Sequence, residues 1–115
     1  MPPTLGDRLG HILQAIDDVY FLAAGQTAET LAIDRIRRMA LERALEIICE
    51  ASRHVPDRIR IKNNQINWRE MTDFGNLLRH VYHNININRM LTIVATDLPP
   101  LRIFVEKVLR EEDRL

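Results

Sequence analysis

Apolar positions recur along this chain at intervals of three and four residues, and no segment has a convincing strand pattern. Leu5, Leu9, Ile12, Ile16, Val19 and Ala23 share one helical face, with a capping-box-like start at Thr4 and Asp7 and a stop at Gly25. Thr27 is placed to cap a short helix to about Ile33, and Asp34 to cap the next. That segment, Arg35 to about Arg53, carries two apolar stripes: Ile36, Ala40, Ala44, Ile47 and Ala51 form one, and Leu41, Leu45 and Ile48 the other. A helix apolar on two sides packs between neighbours, so this is the expected central helix. Pro56 ends it, and 57–66 reads as a short turn of helix plus loop. Asn67 and Glu70 open a helix from Trp68 to about His83. Asn86 or Asn88 caps another through Val94. Asp97, with Pro99 and Pro100 in the first turn, starts a last helix whose Leu101, Val105, Val108 and Leu109 face inward. The expected fold is all-α, an up-and-down bundle of four to five main helices in a single domain over residues 1–115.

Composition narrows the class. The chain has 115 residues, 46% apolar and 28% charged, which suits a globular domain and argues against disorder. Aromatics at 5% argue against a stacking platform for single strands. Sixteen basic residues balance sixteen acidic ones, so no global positive field advertises a nucleic-acid partner. Only Lys62 and Lys107 among the cations are lysines, and the rest are arginines, suited to bidentate contact with carboxylate or phosphate. Cys49 is the only cysteine, which excludes a disulfide framework. The start has no signal-peptide pattern and no run is long enough to span a bilayer, so the expectation is a cytoplasmic, soluble protein.

The chemistry gathers on the helix that begins at Trp68. On a wheel at about 100° per residue, Met71, Phe74, Leu78, Val81, Tyr82 and Ile85 fall on one side. Asn76, Arg79, His80 and His83 fall on the other, with Asn76–His80 and Arg79–His83 as i,i+4 pairs. An arginine beside a histidine suits a phosphodiester: histidine transfers protons near neutral pH, and arginine clamps the phosphate and stabilises developing charge. Such a pair asks for no cofactor and no metal. The plain alternative is a solvated polar face. A third reading, a His80-x-x-His83 metal site, lacks further ligands.

The segments Ile66 to Met71, Gly75 to Tyr82 (Gly-Asn-Leu-Leu-Arg-His-Val-Tyr) and Thr96 to Leu101 resemble the HepT-like branch of the HEPN superfamily, as does Ala44 to Ala51 in the central helix. The resemblance implies a small helical homodimer with the active cleft between protomers. It further implies a ribonuclease toxin of a type VII toxin–antitoxin system, acting on RNA, tRNA being one candidate. It makes His80 the catalytic histidine and Tyr82 the site where a minimal nucleotidyltransferase antitoxin attaches AMP. Asn76 matches the polar residue beside the motif arginine, and Asn76 and His83 are the candidate RNA- or nucleotide-binding residues.

One position departs from the family pattern. The motif arginine belongs five residues before His80, where this chain has Gly75. Arg79 lies one i,i+4 step beyond Gly75, and a glycine there would leave room for its guanidinium. Either Arg79 replaces the missing arginine, or the chain is a non-catalytic HEPN protein that binds a nucleotide or docks a nucleotidyltransferase. The wheel alone makes Tyr82 a half-buried core tyrosine. Arg43, Glu46 and Glu50 read as an intra-helix ion network, with a cleft-lining carboxylate as the other reading. Trp68 is expected as a packing anchor, Cys49 as a small buried hydrophobe, and His11 and His54 as exposed, neutral surface residues.

Overall fold

Seven helices follow one another in the computed structural model, which describes residues 2–81 and 85–113, with side chains to residue 111. They are α1 (Leu5–Ala23), α2 (Ala28–Ile33), α3 (Arg35–Arg53), α4 (Asp57–Ile61), α5 (Trp68–His80), α6 (Ile87–Thr96) and α7 (Leu98–Asp113). Five of these are long and two are single short segments, and no strand occurs among the described residues. The architecture is the all-α bundle the periodicity predicts.

Local chemistry sets the boundaries. Thr4 and Asp7 form a reciprocal capping box at the head of α1, each side chain taking the other's backbone N–H at 3.0 Å. Gly25 turns the chain after α1 at φ +71°, a conformation that favours glycine. The side chains of Asp34, Asn67 and Asn86 accept from Arg37, Glu70 and Arg89 backbone N–H groups at 3.0, 3.1 and 3.1 Å. Each satisfies one donor that the first helical turn leaves without an intrahelical partner.

The core lies where α1 packs on α3 and α7. Leu9, Ile12, Ile16 and Val19 of α1 are fully buried against Leu41, Leu45 and Ile48 of α3 and Leu101 and Val105 of α7 in one cluster. α3 is the central helix: it also packs on α2 and α5. Its second stripe is only half covered, however. Ala44 and Ala51 are buried, but Ile36 stays 68% exposed and Ala40 is exposed, because no element covers that side of its first two turns. α5 is anchored at its head by Trp68, whose ring meets Phe104 edge-on at 5.3 Å and whose Nε1 donates to the Asn63 carbonyl at 3.1 Å. Arg89 of α6 pairs with Glu70 at 2.7 Å and lies 5.1 Å over the Phe74 ring, tying α6 to α5.

Candidate functional site

α5 ends sooner than its periodicity suggests. The helix expected to run to about His83 stops at His80, and Val81 leaves it in extended geometry (φ −118°, ψ 104°) after donating to the Leu77 carbonyl at 2.8 Å. Tyr82 and His83, the expected modification and binding residues, lie outside the described residues. Asn76, Arg79 and His80 are all exposed on the last turns of α5.

The turn beneath them is decided by Gly75. It is buried, and a Cβ built on it would stand 2.8 Å from the Cys49 Cβ on α3. Contacts that short do not occur between real Cβ atoms, so the two helices approach this closely only because residue 75 has no side chain. This corrects the expectation for Gly75. The space beside it is filled by Cys49 and is not a berth for the Arg79 guanidinium.

Arg79 instead reaches across to α3. Its Nη1 donates to Glu50 Oε2 at 2.8 Å, and its Nη2 donates to the Asn76 side-chain oxygen one turn back. Glu50 is a shared acceptor: Oε2 also takes Arg53 Nη1 at 3.1 Å, and Oε1 faces His54 Nε2 at 3.4 Å. Partial burial pushes the Glu50 carboxyl up, but Arg53, the His54 contact and Arg79 together outweigh it and hold it below the usual carboxylate range. At neutral pH the cluster therefore contains a carboxylate that fixes the arginine beside His80. A guanidinium held at two of its nitrogens is oriented before any ligand arrives.

The structure sorts the α3 charges accordingly. Arg43 pairs with Glu46 at 3.2 Å within the helix, as the ion-network reading has it. Glu50 joins Arg53 within the helix and Arg79 across it, so for that residue the ion network extends beyond α3. His54 is exposed, but it belongs to this cluster and is not an isolated surface residue. Its i,i+4 spacing from Glu50 was visible in the sequence; the Glu50–Arg79 pair, 29 residues apart, had no local signal. Beside the end of α5, a groove of about 760 Å³ runs between Leu78 and Val81 and the α3 face carrying Arg38, Met39 and Glu42. Among the described residues, no three His, Cys, Asp or Glu side chains gather in an arrangement that could hold a metal ion, and no helix is long and apolar enough to cross a membrane.

Cys49 itself is inert in this setting. Burial, with smaller contributions from Glu70 and Glu46 against Arg79, pushes its thiol up to about 12. The folded protein is therefore expected to resist a thiol-directed disulfide reagent at neutral pH and to react fully once unfolded in denaturant. Rapid labelling of the folded protein would show that α3 and α5 are not packed as described.

Comparison with known proteins gives the chain a family. Residues 12–108 match the family described as Ribonuclease HepT-like. The "Putative RNase MJ1380" of Methanocaldococcus jannaschii is 34% identical over 97 residues, covering 84% of this chain and 89% of that protein. The "Probable ribonuclease HepT" of Thermococcus cleftensis is 31% identical over 102 residues, covering 89% and 93%. The chain spans only 48% of a longer Methanocaldococcus jannaschii relative, "Gamma-glutamylcyclotransferase and putative RNase MJ0434", at 27% identity. No solved structure matches the chain significantly. A match over residues 12–108, carrying the Gly75–His80 segment on an all-α bundle, places this chain in the ribonuclease HepT-like family.

Proposed function

We propose that this protein is a metal-independent endoribonuclease whose reacting groups are His80 and Arg79. His80 takes the proton of a ribose 2′-OH, and the 2′ oxygen attacks the adjacent phosphorus. The bond from phosphorus to the 5′ oxygen breaks, that oxygen receives a proton, and a 2′,3′-cyclic phosphate is left. Arg79 stabilises the charge that builds on the non-bridging oxygens. The observation that carries this reading is the pinning of Arg79 by Glu50 and Asn76 directly beside an exposed histidine.

In the same reading the protein is the toxin of a type VII pair and acts as a homodimer. Its two sites face one cleft, which gathers the Arg79–His80 charge that the chain-wide balance conceals. A nucleotidyltransferase antitoxin silences it by AMP attachment to Tyr82. A second reading has its own support: the Arg79 charge already meets a carboxylate at 2.8 Å, which suits a non-catalytic partner that docks the nucleotidyltransferase or binds a nucleotide.

The test is cleavage of tRNA and total RNA in the presence of EDTA by the wild type and Arg79→Ala. The expected result is wild-type products ending in 2′,3′-cyclic phosphate, with cleavage by the variant reduced about 10²- to 10³-fold, as for loss of a donor to developing charge. No cleavage by the wild type, or equal cleavage by both proteins, overturns the assignment and leaves the non-catalytic reading.

A further inference from the structure

Three cations that lie outside the ion pairs of the described residues share a second place. Nine arginines lie within 4.0 Å of a carboxylate, so most of the guanidinium charge is neutralised inside the molecule. Among the described residues no such ion pair involves Arg58, Lys62 or Lys107. These three line a single groove of about 380 Å³ between α4 and α7, with Glu111 as the one acidic lining residue among the described side chains. Both lysines of the chain are thus in one concave site, against a floor supplied by Ile59 and Val108. Among the described lining side chains, three cations face one carboxylate, in a protein with no net charge overall. A cleft with an apolar floor focuses the field of its lining charges outward.

Position ties the groove to the candidate site. α4 begins directly after the end of α3 that holds Arg53 and Glu50, the carboxylate that pairs with Arg79, so Arg58 and Lys62 follow that end along the chain. Lysine is the appropriate residue for this work: a flexible point charge follows a moving backbone phosphate without demanding a fixed geometry. Arginine, pinned as at Arg79, serves the fixed one.

We infer that the α4–α7 groove binds the phosphodiester backbone of the RNA at a distance from the bond cleaved, a site that rests on the ribonuclease reading above. It holds the strand by charge and reads no sequence. The test uses His80→Ala as an inactive background and a fluorescein-labelled single-stranded RNA oligonucleotide, with binding followed against salt. Replacing Lys62 and Lys107 by alanine removes two phosphate contacts and should lower the slope of log K against log salt by about 1.4, at about 0.7 per contact for single strands. Affinity falls equally for unrelated sequences. In the active background the same double variant should raise KM for long RNA, leave kcat unchanged, and leave cleavage of a dinucleotide unchanged. RNA binding by the parent with the same slope in the double variant overturns the groove alone, including when capture of an acidic protein partner is lost instead. A parent that neither binds nor cleaves RNA overturns the ribonuclease reading and the groove with it.

Discussion

Replacing His80 by alanine is expected to reduce RNA cleavage by about 10²- to 10⁴-fold, the range for loss of a positioned proton carrier. The histidine is the one side chain of the Asn76–Arg79–His80 group whose ring nitrogens can both accept and donate a proton in general acid–base chemistry. It stands exposed at the last position of α5, where a ligand can reach it. The same exposure makes the experiment clean. A surface truncation away from packing contacts alters stability by no more than about 0.5 kcal/mol, so the variant should melt with the wild type. The loss should therefore appear in kcat with the fold intact. Cleavage within a few-fold of the wild type would remove His80 from the reaction whatever the fate of Arg79.

Gly75→Arg, which writes the family's motif arginine back into this chain, is expected to damage the protein rather than improve it. The first atom added already collides: a Cβ at residue 75 would stand 2.8 Å from the Cys49 Cβ. A Cβ cannot rotate away, so α5 must lift off α3 at a point that is buried on both sides. Overpacking of this kind costs about 1–3 kcal/mol, and a guanidinium forced into an apolar contact adds to it. Gly75→Ala isolates the steric part. At an open helical position that change would stabilise by about 1 kcal/mol; here the collision opposes it, and a lower melting temperature is expected. Cys49→Gly added to Gly75→Ala should recover part of the loss, because it removes the atom that is struck. A Gly75→Ala protein as stable as the wild type, or more so, would refute the close approach. The consequence for function is specific: an arginine at 75 and the present α3–α5 contact exclude each other, so any arginine chemistry in this chain has to come from another position.

The caps show what could be read from local residues. Thr4 with Asp7, Asp34, Asn67 and Asn86 each act within three residues of themselves, so their roles follow from spacing alone. The buried faces of α1 and α7 follow equally from their three-and-four periodicity. The end of α5 was not legible in this way. Its apolar period continues through Val81, yet the chain turns extended there, and periodicity describes a preference for a face without stating where the helix stops. The second stripe of α3 misled for a related reason: Ile36 and Ala40 repeat at helical spacing but lie on a side that no neighbouring element covers.

The sequence by itself thus determined the class of fold, the order of helices and the face on which Asn76, Arg79 and His80 stand together, because each depends on residues within about two turns of one another. Tertiary structure alone decided what that face can do. The partner of Arg79 is a carboxylate 29 residues away, and the reason for Gly75 is a cysteine on another helix. The gathering of Lys62 and Lys107, 45 positions apart, likewise depends on how α7 returns past α4. Such pairs depend on how helices cross, which the packing of the whole core sets and no local spacing encodes.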